Sequence, residues 1–230
     1  QAIVPWGTFL PRYAENFLQA IRDLKPQFTA LFLPMLYSLL AECRRQGIEP
    51  RQAFQSVQRI ICVGAPLSPL SRESLRRELG VEDIFEGAGS SEGLLAMECS
   101  FHRGPHVFMD ACYIEAVDPV SGAALPPGKR GRLLLTSLNP FGSVYLRYDL
   151  EDLGELLAEP CPCGRTWPLL KIYDRLANAC LVAGKAVFPY DIRVCLDMIP
   201  QLQGVPFGLI RRAGGMPFLR VAVQRPFTDS

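Results

Sequence analysis

Apolar residues recur along this chain at two different periods, and the period changes near residue 99. In residues 13–24, Phe17, Leu18, Ile21 and Leu24 fall at the three-and-four spacing of a helix face, and Pro26 ends that helix. Residues 28–33 (FTALFL) read as a buried strand. Residues 35–46 return to helical spacing and stop at Gly47. Residues 57–63 (VQRIICV) predict a second strand. Ser68-Pro69 then starts a helix that runs through Leu79 and ends at Gly80, and residues 81–85 (VEDIF) predict a third strand.

Strands that alternate with helices imply right-handed crossovers and a parallel sheet. Ligands of such sheets bind beyond the carboxyl ends of the strands. Two Gly-rich segments stand at such ends, Gly64-Ala65-Pro66-Leu67-Ser68 and Gly87-Ala88-Gly89-Ser90-Ser91-Glu92-Gly93. Neighbouring strands would turn both toward one crevice.

After Cys99 the helical period is lost. Residues 106–117, 131–138 and 143–148 predict strands, joined by turns such as Asp118-Pro119-Val120-Ser121-Gly122 and Pro126-Pro127-Gly128. They predict an antiparallel barrel or sheet. From Tyr173 the pattern gives a hairpin, a helix from Pro189 to Met198 and a strand at 218–224. The chain is therefore α/β. Residues 1–105 form a parallel-sheet subdomain lacking its N-terminal part. Residues 106–172 form a β-barrel-like subdomain, and residues 173–230 the start of a small α+β C-terminal domain. Because it opens on Gln1 rather than Met, the chain reads as a fragment of a longer protein.

A net charge of +1 gives no electrostatic case for nucleic acid, and the basic pairs Arg44-Arg45, Arg76-Arg77 and Arg211-Arg212 are only local. No apolar run is long enough to span a bilayer, and no leader pattern opens the chain. Cys43, Cys62, Cys112, Cys180 and Cys195 stand singly in apolar stretches, which suits free thiols in a reducing cytoplasm. The other three cysteines are spaced for metal. Cys99-x2-His102 lies far upstream of Cys161-Pro-Cys163-Gly164-Arg165, a knuckle whose Pro and Gly turn two sulfurs toward one point. Zinc takes such ligands tetrahedrally, and a closed four-ligand site is normally structural.

A series of segments now falls in a recognisable order. They are Gly64-Ala65-Pro66-Leu67-Ser68, Gly89-Ser90-Ser91-Glu92, Glu98-Cys99, Pro126-Pro127-Gly128 with Gly131-Arg132-Leu133, and Arg147-Tyr148 with Asp152-Leu153. Pro160 to Thr166 follows, then Gly184 with Val187-Phe188-Pro189. In this the chain resembles the adenylate-forming superfamily, and within it the phenylacetate–CoA ligase-like branch. The resemblance spans nearly the whole chain and lies in its order rather than in any one motif.

The resemblance implies an enzyme that joins a carboxylic acid, of aryl or phenylacetate type, to ATP as an acyl-adenylate. It then passes the acyl group to CoA or to a carrier protein. It implies that Glu92 helps hold magnesium on ATP, oxygen being the ligand such a hard cation takes. Asp152 would take both ribose hydroxyls, since an ionised carboxylate offers two acceptors. Arg175 would contact ribose or phosphate as the C-terminal lid swings, so Glu92 and Arg175 are the catalytic candidates. Gly64, Ala65, Pro66, Ala88, Gly89, Ser90 and Ser91 would complete the ATP site. Pro34, Tyr37, Gly64, Ala65 and Gly87 would border the acid, although Tyr37 with Leu36 and Leu40 reads equally as helix core. The family pattern prefers His102 over His106 as the fourth zinc ligand, because Gly-x-His at 104–106 resembles a strand start. A homodimer is left open.

The pattern also breaks. Ala88 stands where an aromatic usually stacks on adenine, Glu151 where Gly usually precedes the ribose Asp, and Ala177-Asn178 where an acidic pair is usual. Ala183 replaces a common Arg. The upstream phosphate loop and the downstream adenylation Lys of the family are not in the chain, so this stretch alone is expected to be inactive. The breaks support a competing reading, a catalytically degraded homologue that binds or scaffolds.

Overall fold

The computed structural model describes residues 13–139, 143–182, 185–203, 205, 207–210 and 218–221. The expectations placed on Ala183, Gly184, Arg211, Arg212 and residues 222–224 lie outside the described residues.

The first layer follows the sequence pattern. Helix α1 (Ala14–Leu24) is capped by Lys25, whose left-handed backbone lets its N–H reach the Ile21 carbonyl. Strand β1 (Phe28–Phe32) leads into α2 (Leu33–Gln46), which ends on Gly47 at φ 66°. After the short α3 (Pro50–Ala53) come β2 (Arg59–Val63), α4 (Pro69–Leu79) and β3 (Asp83–Ser90). Ser68 caps α4 by accepting from the Ser71 N–H at 3.0 Å. Strands β1, β2 and β3 pair in parallel, with Phe28 opposite Arg59 and Arg59 opposite Asp83. Leu18, Leu36, Leu39, Ile60 and Ile84 are fully buried in one core between the helices and this sheet.

The sheet then departs from the expected plan. Gly87, Ala88, Gly89 and Ser90 are not loop: β3 runs on through them and turns at Ser91-Glu92 into β4 (Gly93–Met97). The stretch 106–117 is not one strand either. His106–Val107 forms β5 on the edge of the first sheet. A turn closed on the Phe108 carbonyl by the N–H groups of Ala111 and Cys112 separates it from β6 (Cys112–Val117) in the next sheet. The first sheet thus extends past residue 105.

The second sheet is an antiparallel meander of β6, β7 (Gly131–Ser137), β8 (Tyr148–Leu156) and β9 (Leu170–Arg175). It is open, not a closed barrel, among the described residues. The strand expected at 143–148 begins only at Tyr148, directly after Arg147, whose φ of 47° lies outside the strand region. Ile114, Leu133, Leu135 and Leu170 bury the face that packs on β4 and β5. Beyond β9 come a single turn (Leu176–Asn178), the hairpin β10 (Cys180–Val182) and β11 (Lys185–Val187), and α5 (Pro189–Asp197). Strands β12 (Phe207–Ile210) and β13 (Phe218–Val221) pair antiparallel. No described helix is long and apolar enough to cross a membrane.

Candidate functional site

The carboxyl ends of β2 and β3 open onto a crevice of about 820 Å³ whose far wall comes from β8 and β9. One wall is Gly64, Ala65 and Pro66, another is Gly87 to Ser91, and Asp152 and Arg175 face them from the second sheet. The two Gly-rich segments therefore do meet at one cavity. Gly64 is needed there twice over. Its φ is +80°, and a Cβ would meet the Phe32 ring at 2.5 Å.

Asp152 and Arg175 are register partners on β8 and β9, and Arg175 Nε lies 3.2 Å from Asp152 Oδ1. A second Arg175 nitrogen donates to the Leu150 carbonyl at 2.7 Å, which fixes the guanidinium. Burial pushes the Asp152 carboxyl up to about 6 against the pull of Arg175, with the acidic neighbours Asp174, Asp149 and Glu151 adding to the rise. The carboxyl thus titrates just below neutral pH while lining the crevice.

Glu92 is placed differently. It sits on the β3–β4 turn and is not among the lining residues, although Ser91 and Gly93 are. The Ser90 hydroxyl holds its carboxyl below the usual range, with smaller help from Tyr148 and Arg175. Ala88 lines the crevice, but the residue is only 7% exposed and belongs to the second core. The one aromatic ring among the described lining residues is Phe32, which is 54% exposed. Phe85 is turned away to the His102 ring, 5.4 Å between centroids.

The residues expected around an acid separate. Gly64, Ala65 and Gly87 line the crevice, whereas Pro34 and Tyr37 line a second cavity of about 460 Å³ between α2 and α5. Ala65, Pro66 and Asp174 border both cavities.

Sequence reasoning missed Glu86. It lines the crevice from β3 and accepts from the Leu67 N–H at 3.4 Å. Burial, then the neighbouring Glu98 carboxylate, push it up to about 7. A signal existed, since Glu86 lies on the same strand face as buried Ile84 and Ala88, where an acid is out of place.

Away from the crevice, Cys99, His106, Cys161 and Cys163 bring their ligand atoms within 4.8 Å of one another. Cys99 Sγ is 3.5 Å from Cys161 Sγ, and Cys163 Sγ is 3.4 Å from His106 Nε2. Tetrahedral zinc bonds of about 2.3 Å to sulfur and about 2.0 Å to nitrogen put ligand atoms about 3.5–3.8 Å apart, so the donor set fits zinc. The other ring nitrogen, His106 Nδ1, lies 3.4 Å from the Trp167 carbonyl, which orients Nε2 inward.

This corrects the expectation for His102. Its Nδ1 lies 3.2 Å from Glu98 and its Nε2 3.1 Å from Asp83, so both nitrogens are committed elsewhere. Arg72 joins the same group, 2.8 Å from Glu98. Strand β5 carries His106 to the sheet edge opposite Leu169, next to the knuckle, and sequence spacing alone does not reveal that pairing.

Comparison with known proteins identifies the family. Residues 2–145 match the model of a family described as AMP-binding enzyme. A phenylacetate-coenzyme A ligase of Thermus thermophilus is 30% identical over 93% of this chain and 49% of its own length. One of Pseudomonas putida is 32% identical over 91% of this chain and 48% of its own length. Among solved structures, 2-hydroxyisobutyryl-CoA ligase in the postadenylation state superposes with a TM-score of 0.83 at 22% identity, covering 94% of this chain and 47% of that one. The chain spans about half the length of the relatives it matches. With its crevice, its order of motifs and these matches, the chain belongs to the AMP-binding enzyme family, in its phenylacetate–CoA ligase-like branch.

Proposed function

We propose that the full-length protein is an ATP-dependent acid–CoA ligase, and that an aryl acid of phenylacetate type is its substrate. The observation that carries this reading is the crevice, where Asp152 and Arg175 face the Gly64–Pro66 wall across a space of nucleotide size. In the first half-reaction an acid carboxylate oxygen attacks the α-phosphorus of ATP and pyrophosphate leaves with the bond electrons. In the second, the thiol of CoA attacks the adenylate carbonyl, loses its proton and expels AMP. Like charges must be screened in the first step, and that calls for cations and fixed donors.

Asp152, ionised above pH about 6, accepts the two ribose hydroxyls. Arg175 steadies that carboxylate and offers its charge toward the phosphates. Gly64, Ala65, Pro66, Ala88, Gly89, Ser90 and Ser91 form the walls against which the base and ribose lie. Glu92, its carboxyl held below the usual range, is the candidate to hold magnesium on ATP from the turn beside the crevice. Cys99, His106, Cys161 and Cys163 hold a structural zinc that ties the first sheet to the knuckle. Cysteines that form no disulfide among the described residues suit a cytoplasmic location. A carrier protein in place of CoA, or a homodimer, is compatible with this reading.

A second reading has one observation in its favour. Ala88 presents no ring to the crevice, which suits a homologue that has lost catalysis and only binds. The test is direct. Full-length protein is incubated with ATP, magnesium, CoA and phenylacetate, and products are followed by mass spectrometry. Equal amounts of phenylacetyl-CoA and AMP support the ligase. Nucleotide binding without any product from a panel of aryl and short-chain acids would favour the second reading.

A further inference from the structure

Strand β4 ends at Met97, yet its pairing with β3 continues for one more residue. The Glu98 N–H donates to the Glu86 carbonyl at 2.9 Å. The Glu98 side chain then turns back, and its Oε2 accepts from the Glu86 N–H at 2.7 Å. A side-chain carboxylate therefore takes the place of a backbone carbonyl at the end of the ladder. That side chain is only 2% exposed, and a buried charge needs a partner. Arg72 of α4 supplies one, with Nη1 2.8 Å from Oε2 and Nη2 donating to Oε1 at 2.9 Å. His102 adds a second hold. Its Nδ1 lies 3.2 Å from Glu98, and its Nε2 lies 3.1 Å from Asp83, the first residue of β3.

This clamp stands between the metal cluster and the crevice. On the cluster side, Glu98 and His102 flank Cys99, and the His102 N–H closes the turn on the Cys99 carbonyl at 3.1 Å. The Cys99-x2-His102 spacing thus serves two ends: the cysteine faces the cluster and the histidine faces β3. On the crevice side, Glu86 lies directly before the wall of Gly87 to Ser91. Its own carboxyl accepts from the Leu67 N–H, just after the wall of Gly64, Ala65 and Pro66. Arg72 reaches Glu98 from the helix that Ser68 caps, which follows that same wall. Both walls therefore lead back to one buried carboxylate.

We propose that Glu98 is a positioning residue for the crevice: held by Arg72 and His102, it fixes the β3 wall against the wall that precedes α4. It acts through Glu86, which lines the crevice. The consequence for nucleotide binding rests on the reading of the crevice as an ATP site; the clamp on β3 does not.

The experiment compares full-length wild type with Glu98→Gln and His102→Ala, using three readouts: zinc content, hydrogen–deuterium exchange by mass spectrometry, and AMP affinity by calorimetry. Glutamine keeps the shape of glutamate, but its NH2 stands opposite a donor, either Arg72 or the Glu86 N–H. Glu98→Gln is expected to keep its zinc and to speed exchange at residues 84–90 about tenfold, while α1 (Ala14–Leu24) keeps its wild-type rates. Its AMP affinity should fall about tenfold, the scale of one charged hydrogen bond. His102→Ala leaves the Arg72 pair in place and should change both by only about threefold; it also serves as the working variant should Glu98→Gln not fold. Unchanged exchange at 84–90 in the folded variants would overturn the clamp. Faster exchange there with unchanged AMP affinity would overturn the positioning role, because Glu98 would then serve the core alone. Loss of zinc from Glu98→Gln would overturn it too, since the effect would run through the knuckle. If wild type binds no AMP, the nucleotide reading fails, while exchange at 84–90 still decides the clamp.

Discussion

Breaking the Cys99–His106–Cys161–Cys163 cluster should unseat the knuckle, and the size of the effect can be worked out. A metal there clips His106 at the edge of the first sheet to Cys161, across roughly 55 residues that hold β6, β7 and β8. Treated as a cross-link, closing a loop of that length restricts the unfolded chain by about 4 kcal/mol. In a domain of this size about 1 kcal/mol moves the midpoint by roughly 2–4 °C. Cys163→Ser should therefore lower the Tm by about 8–15 °C, and a zinc chelator should lower the wild type by a similar amount. The assay is thermal unfolding of the full-length protein, paired with metal analysis of the purified sample. His106→Ala should lose the metal, and His102→Ala should keep it because its nitrogens face Asp83 and Glu98. The reasoning fails if purified wild type carries no zinc, or if Cys163→Ser keeps the wild-type Tm. Metal loss in His102→Ala with retention in His106→Ala would reverse the ligand assignment.

Other expectations follow from single residues. Asp152 is raised to about 6 in the fold, so its neutral form gains below that pH and its ionised, ribose-accepting form above it. AMP should bind about tenfold more weakly at pH 5 than at pH 7, by the titration of one group. Asp152→Asn should bind weakly at both, and a variant with the wild-type pH dependence would transfer the effect to Glu86. Glu151 sits at φ 59°, a conformation that costs a side-chain-bearing residue about 1 kcal/mol, so Glu151→Gly should leave the Tm unchanged or raise it by a few degrees. A fall of several degrees would show that the Glu151 side chain has a role of its own. Gly154→Ala should destabilise the second sheet by about 1–3 kcal/mol, because a Cβ there would meet Leu133 at 2.6 Å and the Lys171 carbonyl at 2.7 Å. Urea unfolding with an unchanged midpoint would refute that.

The first layer was legible because its signals are local. Helical spacing in α1 and α2, Ser68 before α4, and Gly47 and Gly80 after their helices each act within a few residues. The crevice was legible because strand order in an alternating α/β chain leaves few choices. What escaped depends on contacts between distant segments. The strand at 148–156 carries Asp149, Glu151, Asp152 and Glu155, so its apolar alternation is too weak to mark it, and Glu151 at positive φ interrupts it. The choice between His102 and His106 turned on whether residue 106 pairs with residue 169, a matter of sheet register. Glu151 gives the reverse lesson. The resemblance placed a glycine there, and the backbone angle explains why a glycine suits it.

The central claim, that an adenylate forms in the crevice between Gly64–Pro66 and Asp152, is tested most directly by ATP–pyrophosphate exchange. Full-length protein, magnesium, ATP and labelled pyrophosphate are combined with each of a panel of aryl and short-chain acids, without CoA. The account predicts label entering ATP only when the acid is present, with the rate cut about tenfold or more by Asp152→Ala, the scale of lost charged hydrogen bonds. No exchange with any acid, or exchange indifferent to Asp152, would contradict it.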